Sequence, residues 1–177
     1  MAKPTSLPTS FTDKIPEDDD RLRAVCDHCD FIDYKNPKMV VGSVAIWKDK
    51  ILLCKRAIEP RKGFWTLPAG YMELNETVEE GACREAYEEA RAKLEIDRIL
   101  AVYSIPRISQ VQIMFRARLI DPDISAGPES EDVGLFLWDD IPWPELAFPS
   151  VNWALRQWYE TQDRMDFPTF SNPAEGL

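Results

Sequence analysis

Glu85, Glu88 and Glu89 bring three carboxylates together in one short stretch, and at 100° per residue they fall on one helical face. Glu85 and Glu89 form an i,i+4 like-charge pair, which costs an isolated helix roughly 0.2–0.5 kcal/mol, so helix stability alone gives no reason for the arrangement. A bound cation reverses that penalty. Clustered hard oxygens suit Mg²⁺ or Mn²⁺, which keep several waters and commonly bridge carboxylates to substrate phosphates. An acidic helical face is also what ordinary solvated surface looks like, so the three glutamates by themselves leave both readings open.

The elements that must position these acids can be read around them. Thr77 followed by Glu80 has the capping-box pattern, and residues 78–92 contain no proline and mostly good helix formers apart from Gly81. A helix is predicted there, with Ala82, Ala86, Ala90 and Tyr87 roughly on the packed side and the acids facing a cleft. Residues 63–70, Gly-Phe-Trp-Thr-Leu-Pro-Ala-Gly, read as a structured loop. Residues 39–47 and 51–56 are rich in β-branched residues around Lys48-Asp49-Lys50 and predict a hairpin. Two further strands are expected at 94–105 and 110–120, separated by Pro106. A loop at 122–128, a short strand at 135–138 and a turn or short helix at 140–146 follow. A closing helix at 151–159 carries Trp153 and Trp158 on or near the core. Helices interspersed with mainly antiparallel strands predict an α+β domain in which helices sandwich a mixed sheet.

A chain of 177 residues with 45% hydrophobic and 29% charged content suits one globular domain. The formal net charge of -10 opposes binding to nucleic acid or to an anionic membrane through bulk charge. A small anionic substrate is compatible with it, because local cations reverse the potential inside a single cleft. No stretch approaches the roughly 20 apolar residues of a membrane span, and the first ten residues lack the basic start and apolar core of a secretory signal. A cytoplasmic location is therefore expected, with Cys26, Cys29, Cys54 and Cys83 as free thiols. Cys54 and Cys83 are expected to pack in the core. Residues 1–21, rich in Pro, Ser and Thr and closing on an acidic run, read as a mobile arm. Residues 22–37 read as a small knuckle around Cys26-Asp27-His28-Cys29, 38–165 as the main domain and 166–177 as a C-terminal tail.

Gly70, five residues, Glu76, seven residues, Arg84-Glu85, then Glu88-Glu89 resembles the signature box of the Nudix hydrolases. The one departure is Arg91, where the family carries a late glycine. The resemblance implies the Nudix α/β/α sandwich. It also implies Glu85 and Glu89 as principal metal ligands, Glu88 as a further ligand or base, and the Ala69 carbonyl as an additional ligand. Arg84 would orient the glutamates and Glu76 would support the loop-helix geometry. In the acidic loop 127–132, Glu129 and Asp132 are candidates for a base outside the box. The implied chemistry is attack of metal-activated water on a phosphoanhydride, with Mg²⁺ or Mn²⁺ neutralising the phosphate oxygens.

Residues 36–42, 53–56, 65–71 and 127–130 are similar to a subgroup that includes FAD and ADP-ribose pyrophosphatases of plant chloroplasts and bacterial relatives. FAD or ADP-ribose is the implied substrate, with NADH behind them. Phe64 and Tyr103 are candidates to stack on a flavin or adenine ring. A nucleoside triphosphate pyrophosphatase and a non-catalytic nucleotide-binding regulator are the competing readings, and homodimerisation is common in the family. Members of this subgroup carry an N-terminal zinc ribbon with two Cys-x-x-Cys pairs. This chain keeps one pair, to which His28 adds a third donor at most, so a degenerate ribbon without structural zinc is expected.

Overall fold

The β-branched runs on either side of Lys48-Asp49 form the hairpin at the centre of the main sheet. The computed structural model describes residues 10–174, and the chain divides into two units, residues 1–36 and 37–177. In the second unit, β4 (Lys38–Trp47) and β5 (Lys50–Arg56) are joined by a two-residue turn in which Lys48 takes a left-handed φ of 57°. The sheet order is β10-β5-β4-β9-β8, with β8 at Leu94–Ile105, β9 at Gln110–Leu119 and β10 at Ser130–Phe136. The pair β4 and β9 is parallel and the other ladders are antiparallel, so the sheet is mixed. Two short strands, β6 (Trp65–Thr66) and β7 (Ala69–Tyr71), pair with β5 and β4.

Side chains alternate across this sheet and so build two cores. Val44, Ile51 and Leu53 face α2 (Pro149–Thr161), where they meet Val151, Ala154, Leu155 and Trp158. Their neighbours Val41, Ala45, Leu52 and Cys54 point the other way, toward α1 (Val78–Ala90) and its Ala82, Ala86 and Ala90. The two helices therefore cover opposite faces, which is the sandwich expected from the sequence. Cys54 is buried and Cys83 half-buried, both as free thiols.

Helix α1 starts where its cap dictates. The Thr77 hydroxyl accepts the Glu80 N–H at 3.2 Å while the Glu80 carboxylate accepts the Thr77 N–H at 2.8 Å, satisfying two backbone donors that the helix leaves open. It ends earlier than residue 92, because Arg91 adopts a left-handed conformation, φ 53°, and its N–H turns back to the Ala86 and Tyr87 carbonyls. The last carbonyls of the helix are then met by the loop before β10, through Ser125 N–H to Ala90 O and Gly127 N–H to Glu89 O, both 2.9 Å. This docking needs a glycine: a Cβ on Gly127 would lie 1.7 Å from the Glu88 carbonyl.

Several expectations change. The strand expected at 135–138 is β10, which is longer and begins at Ser130 because its acidic first half follows the edge of β5 without an apolar alternation to announce it. The segment 140–146 is two single 3-10 turns, Trp138–Asp140 and Trp143–Glu145. Tyr87, placed on the packed side of α1, is exposed, while Glu85 and Glu89 lie within the buried stripe beside the alanines. The C-terminal segment does not trail away: Phe170 forms a parallel bridge to Ala101, with Phe170 N–H to Leu100 O and Val102 N–H to Phe170 O, both 2.9 Å.

The first unit is a three-stranded sheet, β1 (Phe11–Lys14), β2 (Arg23–Cys26) and β3 (Ile32–Asp33). The mobile-arm reading of 1–21 is therefore corrected for residues 11–14, and its first nine residues lie outside the described ones. All four residues of β1 are exposed, so no apolar pattern marked it. It is held by ladder bonds to β2 and by polar contacts: Ser10 Oγ donates to Asp27 at 2.7 Å and Lys14 pairs with Asp30 at 3.3 Å. Between β1 and β2 the turn is tied by Asp19, whose carboxylate accepts from Arg23 Nε at 2.8 Å.

Replacing Arg91 by glycine removes the cost of a left-handed non-glycine residue. Arg91→Gly is expected to stabilise the chain by about 1 kcal/mol, read as a higher midpoint in urea with an unchanged slope. A lower midpoint would show that the Arg91 contacts with Tyr87 outweigh the backbone cost.

Candidate active site

The motif residues of α1 converge with the strand β7 ahead of it. Gly70 lies where a Cβ would meet the Glu85 carboxylate at 2.3–2.5 Å, so only glycine lets that carboxylate rest against the β7 backbone. The Ala69 N–H donates to Glu89 Oε2 at 3.3 Å. Arg84 organises the acids around it: it grips Glu76 through two bonds, 2.9 and 2.8 Å, and donates to Glu85 at 2.7 Å and to Glu88 at 3.1 Å. Its remaining donor reaches the Tyr71 carbonyl at 3.0 Å. Glu76 also accepts the Glu73 N–H at 2.7 Å, which ties the loop before α1 to the same arginine.

These partners divide the carboxylates into two kinds. The Arg84 guanidinium, with help from the Glu73 N–H, holds Glu76 down to about 2, a permanent anion spent on structure. Glu85 and Glu89 are 8% and 6% exposed. Burial raises Glu85 despite Arg84 beside it, and burial together with the charge of Glu85 pushes Glu89 up to about 8. A carboxylate pair this dehydrated lacks positive charge.

The pair opens on a cleft of about 840 Å³, a size common for ligand sites. Its acidic end holds Glu85, Glu88, Glu89 and Glu129; Glu129 is exposed and near enough to raise both buried acids. Arg56 and Arg107 supply cationic groups, and Tyr71, Phe148 and Trp153 supply aromatic surface. Of the residues expected from sequence, Glu85, Glu88, Glu89, Arg84, Ala69 and Glu129 thus come together. Three do not. Asp132 is exposed on β10, accepts the Val133 N–H at 2.9 Å and is absent from the cleft wall. Phe64 packs under the Arg61 guanidinium at 5.1 Å, also away from the wall. Tyr103 is 0% exposed, its hydroxyl donating to Gln157 at 2.6 Å, so it is core and not a stacking surface. Sequence reading missed Arg107 and Trp153, which belong to no motif and reach the cleft only through the fold.

A divalent ion fits the acidic end by its chemistry. Among the described residues no three acidic, histidine or cysteine side chains converge on one point as a finished cage. Mg²⁺ does not need one, since it is usually held by one or two carboxylates with water and substrate phosphates completing the shell. Glu85 and Glu89, with Glu88 and the Ala69 carbonyl adjacent, provide such a partial set of hard oxygens.

Comparison with known proteins agrees with this geometry. The NUDIX domain family model matches residues 36–160, and the Nudix N-terminal zinc-ribbon model matches residues 9–35. The chain is 34% identical over 119 residues to the ADP-ribose pyrophosphatase of Methanocaldococcus jannaschii, covering 65% of this chain and 69% of that protein. It is 29% identical to the NAD-capped RNA hydrolase NudC of Edwardsiella ictaluri over 67% of its own length but only 46% of that protein's. The crystal structure of a NUDIX hydrolase from Nitrosomonas europaea superposes with a TM-score of 0.87 at 44% identity, covering 97% of this chain and 98% of that one.

Zinc does not fit the first unit by the same test. A structural zinc site is closed by four ligands. Residues 1–36 hold only Cys26, His28 and Cys29 as thiol or imidazole donors, the other two cysteines being in the second unit. Cys26 is buried while His28 and Cys29 are exposed, and no group of three ligand-type side chains forms there among the described residues. The Asp19–Arg23 and Ser10–Asp27 contacts tie the turns of this small sheet. Protein from zinc-supplemented medium is expected to carry no stoichiometric zinc, with hydrogen exchange of β2 indifferent to EDTA; one zinc per chain by elemental analysis would refute this.

The buried acids also predict a pH dependence. Unfolded, Glu89 ionises near its ordinary 4.5; folded, it keeps its proton to about 8. Between those values the folded state binds more protons, so metal-free stability falls as pH rises, by up to about 1.4 kcal/mol per pH unit for this group. Urea unfolding should show that slope in the wild type and a shallower one in Glu89→Gln, and Mg²⁺ should stabilise more at about pH 8 than at about pH 5.5. Equal slopes would contradict the assignment.

Proposed function

Since the chain belongs to the Nudix family and is a hydrolase of that kind, we propose that it is a Mg²⁺-dependent pyrophosphatase of a dinucleotide-like compound, ADP-ribose or FAD. The observation that carries this reading is the buried pair Glu85 and Glu89, short of positive charge, in the wall of a cleft that also presents aromatic rings. A relative named for ADP-ribose hydrolysis, matched over most of its length, supports ADP-ribose ahead of a nucleoside triphosphate.

Glu85, Glu89, Glu88 and the Ala69 carbonyl would hold the metal, which supplies activation of water and neutralises charge on the phosphate oxygens. Arg84 keeps Glu85 and Glu88 aimed, while Ala69 N–H fixes one oxygen of Glu89. Glu129, an exposed carboxylate reaching over the same end of the cleft, accepts the proton of the attacking water. Water oxygen bonds to one phosphorus, the bridging P–O bond breaks, and ADP-ribose yields AMP and ribose 5-phosphate. Arg56 and Arg107 offset the charge of the phosphates as they enter.

Glu89→Gln, a neutral isostere of the protonated acid, is expected to cut turnover by orders of magnitude while the fold is retained. In a panel with Mg²⁺, ADP-ribose or FAD should outperform dGTP, with AMP as the nucleotide product. Turnover of Glu89→Gln at the wild-type rate would remove the metal-site assignment, and a preference for dGTP with pyrophosphate release would move the chain to the triphosphate class.

A further inference from the structure

The cleft wall presents three aromatic rings, and two of them already lie under a cation. Tyr71 lies under the Lys38 ammonium at 4.8 Å and its hydroxyl accepts from Gln110 at 3.1 Å. Phe148 lies under the Arg56 guanidinium at 5.3 Å. Trp153, half-buried on α2, has no cation over its ring among the described residues. Gln112, also in the wall, gives its Nε2 to Gln110 at 3.2 Å, and its carbonyl oxygen accepts nothing among the described residues. A half-buried indole with no cation over it, in a wall that also holds a free amide acceptor, suits a planar ring carrying an exocyclic amine.

Trp153 also lines a second pocket of about 460 Å³, together with Phe170 and Pro173 of the C-terminal segment. The segment is tied to the tryptophan by a continuous set of contacts. Asn172 clamps the Ser104 backbone from both sides, accepting its N–H at 2.8 Å and donating to its carbonyl at 2.9 Å. The Ser171 carbonyl accepts from Gln157 at 3.1 Å. Gln157 accepts the Tyr103 hydroxyl at 2.6 Å, and the Tyr103 ring meets Trp153 in a T-shaped contact at 5.4 Å and 73°. Ser104 itself lies on the rim of the cleft.

Resting on the nucleotide pyrophosphatase reading above, we propose that Trp153 is the surface on which the nucleobase of the substrate stacks, and that the C-terminal segment around Phe170–Asn172 is its positioning element. The acids sit on α1 and the indole on α2, on opposite faces of the sheet, so a substrate held at both must lie across the strand ends with its pyrophosphate at α1. Tyr103, a core residue, then contributes to recognition through Trp153 without touching the ligand.

The test is steady-state hydrolysis of ADP-ribose with Mg²⁺ by the full chain and its variants. Trp153→Ala is expected to raise KM by about tenfold or more while kcat stays within about threefold, and Trp153→Phe, which keeps a ring, to restore most of the loss. Asn172→Ala, a replacement at the surface, should raise KM about threefold, and should add nothing further in the Trp153→Ala background because it acts through the indole. An unchanged KM in Trp153→Ala, with the wild type active, overturns the stacking surface alone. Additive effects of the two replacements overturn the positioning role. A wild type that hydrolyses no nucleotide compound removes the parent reading and this one with it.

Discussion

Two carboxylates buried side by side without a dedicated cation are the constraint around which the second unit is arranged. Glu85 and Glu89 stand in the packed stripe of α1 beside Ala82, Ala86 and Ala90, where a helix would ordinarily place apolar side chains. Like charges in a poorly hydrated place repel strongly, and the ion pair with Arg84 relieves only one of them. Arg84 is itself shared among Glu76, Glu85 and Glu88. The result is a fold that stays whole with a deficit of positive charge at one place.

The surrounding backbone is adapted to hold that strain. Gly70 leaves room for the Glu85 carboxylate, and Gly127 lets the loop bearing Glu129 dock against the carbonyls at the end of α1. Both are close approaches of main chain to the acidic helix, and both lose their purpose with a side chain added. The capping box at Thr77 fixes where α1 begins, and Glu76, one residue earlier, ties the preceding loop to Arg84. Helix start, loop and acidic face are thus registered to one another by a handful of hydrogen bonds.

What could be read from residues alone follows from how local each feature is. The capping box, the spacing from Gly70 to Glu89 and the β-branched runs of β4, β5, β8 and β9 are all written within a few residues, and they appear in the structure close to where they were expected. The features that failed are those decided by distant partners. Tyr103 looks like a candidate stacking ring until Gln157, far along the chain, takes its hydroxyl into the core. Phe11–Lys14 has no apolar alternation and becomes a strand only because β2 offers its edge. Asp132 and Glu129 are equivalent acids to a sequence reading, yet Glu129 lies in the cleft wall and Asp132 sits on β10 outside it.

The charge balance of the cleft adds a further consequence. Six carboxylates line it against Arg56, Arg107 and an Arg84 already committed to the acids, within a chain of net charge -10. A pyrophosphate entering such a place alone would be repelled, and a divalent ion alone would meet an incomplete ligand set. Together each supplies what the other lacks, because phosphate oxygens complete the metal's shell while the metal cancels the repulsion between phosphate and carboxylate. Under the proposed chemistry, then, metal and substrate bind with positive coupling, and the acidic character that argues against nucleic acid over the whole surface becomes, at this one point, the means of holding a phosphoanhydride.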